Sequence, residues 1–280
     1  MTEKKVLTFQ DISCFGQCSI TVALPIISAC GVETAILPAA ILSTHTGEFK
    51  GYTFRDLTDD LSGIVNHWLS EGLSFDCLYT GYLGNIEQIN FVKTLREKLI
   101  STDGVFIVDP AMADFGKLYN GFDSTFVKKM AELCKSADII LPNITEAALM
   151  TNSDIMLTGH TEDYILMLLK RFKDMGVKKV ILKGIQYIDS QIGVAIYDCA
   201  NDKLQYYFTE KMEKISHGTG DCYAAAFTGA IMQGKSEIEA ASLAANFVVE
   251  CIKKTVDDES HWYGVKFEKA LPMLVNELNH

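Results

Sequence analysis

Val105-Phe106-Ile107-Val108-Asp109-Pro110 is a run of four apolar residues that stops at an acid and a proline. It predicts a short buried strand opening onto a polar corner. The next stretch, Phe122 to Cys134, has helical periodicity, and Asp138 to Leu141 is again a short apolar run, ending at Pro142. Strand, helix and strand in that order predict a parallel pair joined by a crossover helix. The alternation extends in both directions. Upstream, Val6 to Phe9, Thr34 to Leu42 and Phe75 to Tyr79 predict strands. Ser19 to Cys30, Arg55 to Ser70 and Ile86 to Ile100 predict helices, with Gly31 and Gly72 as stop signals after the first two. Downstream, Tyr164 to Met175 predicts a helix and Val177 to Leu182 a strand. The pattern then changes: Gly193 to Tyr197 and Leu204 to Phe208 flank Ala200-Asn201-Asp202, which predicts an antiparallel hairpin at a sheet edge. Helices are expected over Asp221 to Met232, Glu237 to Ile252 and Phe267 to Leu278. The expected fold class is α/β, a mostly parallel central sheet with helices on both faces and an antiparallel edge hairpin. With no Ser- or Pro-rich linker and no repeat, one domain over residues 1–280 is expected.

The bulk properties narrow the functions. Lys and Arg number 25 against 36 Asp and Glu, a formal charge of −11. Such a surface repels nucleic acid and anionic membrane, although a local cation site still holds a nucleotide. No apolar run is long enough to span a bilayer, and the start is too short in apolar residues for a signal peptide. The eight cysteines are scattered without a CxxC pair, which predicts reduced, mostly buried thiols and a cytoplasmic protein.

Gly229-Ala230-Ile231-Met232-Gln233-Gly234-Lys235-Ser236 matches the phosphate-binding pattern GxxxxGK[ST] letter for letter. Its context rejects it. A phosphate loop follows a strand, whereas Ala224-Ala225-Ala226-Phe227-Thr228 is helical material. Gly234 is read as a helix stop, and Ser236 with Glu239 as a capping box for the next helix.

In open α/β sheets ligands bind beyond the carboxyl ends of the strands, so polar residues after each strand are the candidates. His217-Gly218-Thr219-Gly220-Asp221 precedes an Ala-rich helix. Glycines let backbone N–H groups approach an anion, and the helix N-terminus adds partial positive charge. An Asp at that corner can accept a proton from an attacking hydroxyl, or can simply cap the helix. Asp109 and Asp114 offer hard oxygens to Mg2+, although Asp109-Pro110 taken alone reads as an ordinary turn. Asn143 and Glu146 suit a phosphate and a metal-bound water, and equally suit a capping box. Lys183 places a cation after its strand, and by itself reads as a solvated surface lysine.

Together these residues resemble the ribokinase-like superfamily, through Asn143-x-x-Glu146 and Gly218-Thr219-Gly220-Asp221. With Asp11 to Gly16, Ser43-Thr44-His45-Thr46-Gly47, Thr80-Gly81-Tyr82-Leu83-Gly84 and Asp109-Pro110-x-Met112-x-Asp114, the chain is similar to its pyridoxal kinase branch, from about Val6 to Ile252. The resemblance implies a ribokinase-like three-layer α/β/α sandwich that phosphorylates the hydroxymethyl group of a vitamin B6 compound with ATP. It implies Asp221 as the base and Gly218, Thr219 and Gly220 as an anion hole. It implies that Glu146 positions Mg2+ through water, that Asn143 and Lys183 meet ATP phosphates, and that Asp109 and Asp114 organise metal and phosphates. Ser43, His45, Thr46 and Tyr82 are implied to line the pyridine pocket; Phe247 and the segment before His217 lie near adenine on the same grounds. ATP and Mg2+ are implied cofactors, a monovalent cation such as K+ is left open, and a homodimer is the common assembly.

Two positions depart from the branch. A serine usually follows the glutamine that ends the first strand; here Asp11 follows Gln10, which points to a ring nitrogen or an amine. Ala113 replaces the usual Gly before Asp114, and its methyl is expected to tighten the segment from Gly116 to Asn120. The rival readings are a hydroxymethylpyrimidine (phosphate) kinase of thiamine synthesis and a catalytically silent ligand-binding protein. By residue type, Phe247 reads as core packing and Cys222 as a buried thiol, although a helix N-terminus lowers thiol pKa values.

Overall fold

A computed structural model describes residues 3–212 and 217–278. The element order is β1 (Lys5–Ser13), α1 (Ile20–Ala29), β2 (Glu33–Leu42), β3 (Phe54–Asp56), α2 (Thr58–Ser70), β4 (Phe75–Thr80), α3 (Ile86–Leu99) and β5 (Ile100–Val108). Then come β6 (Ala113–Asp114), β7 (Lys117–Leu118), α4 (Ser124–Ser136), β8 (Ile139–Ile140), α5 (Ile144–Met150), α6 (Glu162–Asp174), β9 (Lys179–Ile185), β10 (Gln191–Asp198) and β11 (Lys203–Glu210). The chain continues with α7 (Thr219–Met232), α8 (Glu237–Lys253), a 3-10 turn (Phe267–Lys269) and α9 (Leu271–Leu278). The chain forms two compact units, 1–105 with 212–280 and 106–211.

In the first unit β1 pairs in parallel with β2 and with β4, and β2 pairs antiparallel with β3. The central strand β1 is buried along nearly its whole length, with Val6, Leu7 and Phe9 fully enclosed. α1 packs on β1, β2 and α7, and α7 packs on α8. α7 can lie this close because small residues dominate it: Ala224, Ala225, Ala226 and Ala230 are all fully buried. α2 contacts β2 and α3, and α3 contacts β4.

In the second unit Ile107 and Val108 of β5 pair in parallel with Ile139 and Ile140 of β8, and β8 pairs in parallel with β9. The expected hairpin is present, with β10 antiparallel to both β9 and β11. β6 and β7 form a separate two-stranded hairpin.

Several expected boundaries move. The helix expected from Arg55 starts at Thr58, because Phe54–Asp56 pairs with Leu42–Ala40 and Asp56 Oδ1 then accepts the Thr58 N–H at 2.7 Å. β5 begins at Ile100 rather than Val105; its polar first half is strand despite lacking an apolar pattern. The helix expected over Phe267 to Leu278 is broken at Ala270, and Pro272 sits in the first turn of α9, where a missing N–H is tolerated. The rejected phosphate-loop match is a helix junction: α7 ends at Met232, Gly234 has φ 83°, and Ser236 with Glu239 forms a capping box. Among the described residues no helix is long and apolar enough to cross a membrane.

Candidate active site

In the first unit Asp221 lies in the first turn of α7, one residue beyond Gly220. The turn before it needs glycine at Gly218, where φ is 75° and an added Cβ would stand 2.2 Å from the Gln17 carbonyl oxygen. The loop from β1 to α1 therefore lies directly against this turn. Its Ser19 N–H donates to Asp221 Oδ2 at 3.0 Å. The Cys18 thiol also hydrogen-bonds Asp221 and is held well above the usual thiol range, by burial first and then by Asp221 and Asp11.

Asp11, near the end of β1, is only 3% exposed. Ser13 Oγ donates to its Oδ2 at 2.9 Å, and Ser19 supplies a further side-chain bond. Burial nevertheless pushes the carboxyl above its ordinary value, because the two hydroxyls offset the desolvation incompletely. Tyr82 feels the same charge: its phenol is pushed up to about 12, by burial and then Asp11. Ser43 and Thr46 are exposed. His45 is buried, and both ring nitrogens are engaged, Nε2 with the Tyr263 carbonyl at 2.8 Å and Nδ1 with the Gly47 N–H at 3.0 Å. These partners define a neutral ring with its proton on Nε2, and burial lowers its pKa accordingly. His217 packs over Gly47, where an added Cβ would meet its ring at 2.7 Å.

Phe247 is fully buried in α8, the core position its residue type suggests. The segment before His217, residues 213–216, lies outside the described residues. Cys222 is buried and its thiol is pushed well above the usual range, by burial, its bond to Cys251 and the charge of Asp221.

The second unit carries the acid–lysine cluster. Asp109 directly follows β5 at 4% exposure, and its Oδ2 accepts from Lys183 Nζ at 2.9 Å. Asn143 caps α5: its Oδ1 accepts the Glu146 N–H at 2.9 Å, and Glu146 Oε2 accepts the Asn143 N–H at 2.8 Å. The capping box expected from the residue types is therefore present. Glu146 Oε1 further accepts the Met112 N–H at 3.2 Å, and Asn143 Nδ2 donates to the Ala113 carbonyl at 2.8 Å. These bonds tie α5 to the loop after β5. Glu146 is pushed up to about 8, by burial and then by the Asp109 charge, against the opposing pull of Lys183. Burial likewise raises Asp109, with Lys183 opposing.

Asp114 is exposed on β6, with Oδ1 accepting the Phe115 N–H at 2.9 Å. The segment after it is an ordered hairpin turn, with Phe115 at φ 48° and Gly116 at φ 79°. The Gly116 N–H donates to Thr145 Oγ1 at 3.0 Å.

Among the described residues no group of three or more acidic, His or Cys side chains gathers for a metal. The residues nevertheless fit Mg2+ in the manner typical of nucleotide enzymes. Two buried, mutually repelling carboxylates gain from a divalent cation, and Mg2+ takes its remaining ligands from phosphates and water.

Removing the Lys183 charge tests this cluster. In Lys183→Met the buried Asp109 carboxyl loses its 2.9 Å partner. Breaking a buried pair from one side costs about 3 kcal/mol. Urea unfolding should show a loss of that order, partly recovered in the double variant with Asp109→Asn. A single variant as stable as wild type would contradict it.

The mostly parallel strands, the helices that connect them and the antiparallel hairpin are those of the ribokinase-like fold. The model of the phosphomethylpyrimidine kinase family matches residues 20–265, and the chain belongs to that family. A protein from Bacteroides thetaiotaomicron, provisionally named a phosphomethylpyrimidine kinase and crystallised with pyridoxal, is 31% identical with a TM-score of 0.91, covering 98% of this chain and 96% of that one. Pyridoxal kinase from Lactobacillus plantarum is 29% identical with a TM-score of 0.89, covering 99% of this chain and 98% of that one. Pyridoxal kinase PdxY of Haemophilus influenzae is 25% identical over 268 residues, covering 91% of this chain and 90% of its own.

Residue patterns missed two contributors. Ser19 joins Ser13 in holding Asp11, and Cys18 touches Asp221. Their signal in the sequence is the run Gly16-Gln17-Cys18-Ser19 directly before a helix, which reads as an ordinary helix start.

Proposed function

We propose that this chain is an ATP-dependent kinase that phosphorylates the hydroxymethyl group of pyridoxal, pyridoxamine or pyridoxine, giving the 5'-phosphate. The observation that carries the reading is the Asp221 carboxylate at the N-terminus of α7, behind a glycine turn and held by the Ser19 N–H. In the reaction Asp221 takes the hydroxymethyl proton, the hydroxyl oxygen attacks the γ-phosphorus, and the bond to the β-phosphate oxygen breaks to release ADP. The N–H groups of Gly218, Thr219 and Gly220 stabilise the charge growing on the transferring group. Asp109, Asn143, Glu146, Lys183 and Asp114 serve the phosphate and metal side of the reaction. Mg2+, held through Asp109 and Glu146, would neutralise phosphate charge. Ser43, His45, Thr46 and Tyr82 shape the ring pocket, His45 by fixing the backbone around Gly47. A monovalent cation such as K+, a single cooperating domain, a homodimer and a cytoplasmic location belong to the same proposal, on the family resemblance.

The test is ADP release with purified protein and MgATP against pyridoxal, pyridoxamine, pyridoxine and hydroxymethylpyrimidine. Turnover with the B6 compounds is expected. Turnover with the pyrimidine alone would replace this reading by a role in thiamine synthesis.

Asp11 is proposed to favour pyridoxamine, because a desolvated carboxylate gains most from a cationic partner. In Asp11→Ser the ratio of kcat/KM for pyridoxamine to that for pyridoxal should fall about tenfold. An unchanged ratio would remove Asp11 from the specificity argument.

A further inference from the structure

We propose that Cys18 and Ser19, at the corner between β1 and α1, are positioning residues for Asp221: the Cys18 thiol and the Ser19 N–H together hold its carboxylate in the orientation and charge state that accept the substrate proton. The inference rests on the role of Asp221 as base and goes beyond it by assigning what holds that base.

The corner has an uncommon backbone. Gln17 has φ 49° and Ser19 has φ 56°, both in the left-handed region without being glycine. Each such residue costs on the order of 1 kcal/mol or more, so the surrounding structure must favour the shape. Its result is visible at Ser19. This residue is the N-cap of α1, yet its side chain makes no capping bond and turns to Asp11 instead. Its N–H points at Asp221 Oδ2, 3.0 Å away. Thr21 Oγ1 donates to the Cys18 carbonyl at 2.8 Å and fixes the corner from the helix side. From the other side Gly218 closes on it: an added Cβ there would stand 2.2 Å from the Gln17 oxygen and 3.6 Å from Cys18 Sγ. The corner and the glycine turn are therefore one packed object with Asp221 between them.

The chemistry of Cys18 suits this task. Burial and two nearby acids, Asp221 and Asp11, keep the thiol protonated. It therefore remains an S–H donor to Asp221 at any ordinary pH. The other titratable neighbours do not compete for that role. Cys222 on α7 is neutral, buried and bonded to Cys251 of α8, and Asp11 on β1 is engaged by Ser13 and Ser19. Two donors on one carboxylate stabilise its ionised form and stop it rotating away from the hydroxymethyl group.

The test compares Cys18→Ala, which removes the donor, with Cys18→Ser, which replaces S–H by O–H, and with Asp221→Ala. Initial rates of ADP release are measured on pyridoxal with MgATP from pH 3.5 to 9, alongside thermal melts. In Cys18→Ala, kcat should fall about tenfold, the loss of one bond to a charged group. The acid limb of kcat/KM should move up by about one pH unit, since the base loses a stabiliser of its charged form. KM for ATP should hold, and Cys18→Ser should recover most of the rate. A wild-type rate and pH profile in Cys18→Ala would overturn the proposal. Equal losses in both Cys18 variants with an unmoved pH profile would overturn it too, reducing Cys18 to packing. Wild-type turnover in Asp221→Ala would overturn the base assignment itself and this inference with it, an outcome distinguishable from failure at Cys18 alone.

Discussion

Asp221→Asn should lower kcat by about three orders of magnitude while pyridoxal and ADP bind within a few-fold of wild type. The amide keeps an oxygen that can accept the Ser19 N–H, which reaches Asp221 Oδ2 at 3.0 Å in the native protein. The corner around it has no reason to move. What the amide lacks is the ability to take the proton of the attacking hydroxyl. A positioned base contributes roughly 10² to 10⁴ in rate. Loss in kcat without loss of binding marks an interaction used in the transition state alone. Pre-steady-state and steady-state rates of ADP release, with ligand titrations on the same protein, make the measurement. Near-normal turnover in Asp221→Asn and Asp221→Ala would remove the proposed base. It would also favour the silent ligand-binding reading, since binding alone requires no base.

Gly218→Ala should be nearly as damaging, for a different reason. The residue sits at φ 75°, and its added methyl would approach the Gln17 carbonyl to 2.2 Å. That neighbour is backbone and cannot swing aside, so either the glycine turn or the corner at Gln17 must shift. The N–H groups of the turn then lose their aim at the transferring phosphoryl group. Misplacing such donors costs about 10² in kcat. The strained backbone should lower stability by about 1–3 kcal/mol. Gly234→Ala is the control. Its φ of 83° is equally left-handed, but nothing lies within 4 Å of the added methyl. It should lose stability by about 1 kcal/mol with kcat unchanged. Comparable loss of kcat in both variants would mean that the phosphate-loop pattern around Gly234 had been wrongly set aside.

The parts of this molecule that were legible in its sequence are those set by local chemistry. Asn143 and Glu146 make a capping box because each reaches the other's backbone within a single turn, and the residue types alone announce it. The hairpin at β10 and β11 is equally local, with its register carried across a short turn. Asp109 and Lys183 were both visible as polar residues at strand ends. Their 2.9 Å pairing was not, because 74 residues separate them and only the fold of the second unit brings them together. Strands of two or three residues, such as β3, β6 and β7, carry no periodicity to detect. The corner at Gln17 to Ser19 was hidden most completely. No residue type there demands a left-handed backbone, and its shape follows from packing against Gly218 and Asp221. Asp11 shows the intermediate case. Its oddity in sequence was clear, but the two serines that hold it, and the burial that raises its pKa, appear only in three dimensions.

The central claim is that this chain moves a phosphoryl group from ATP to the hydroxymethyl oxygen of a B6 compound. Phosphorus NMR on purified protein with MgATP and pyridoxal tests it most directly. The expected result is a new phosphate monoester signal, coincident with added pyridoxal 5'-phosphate and growing in step with ADP. ADP without that signal, or a phosphate ester formed from hydroxymethylpyrimidine and from no B6 compound, would contradict it.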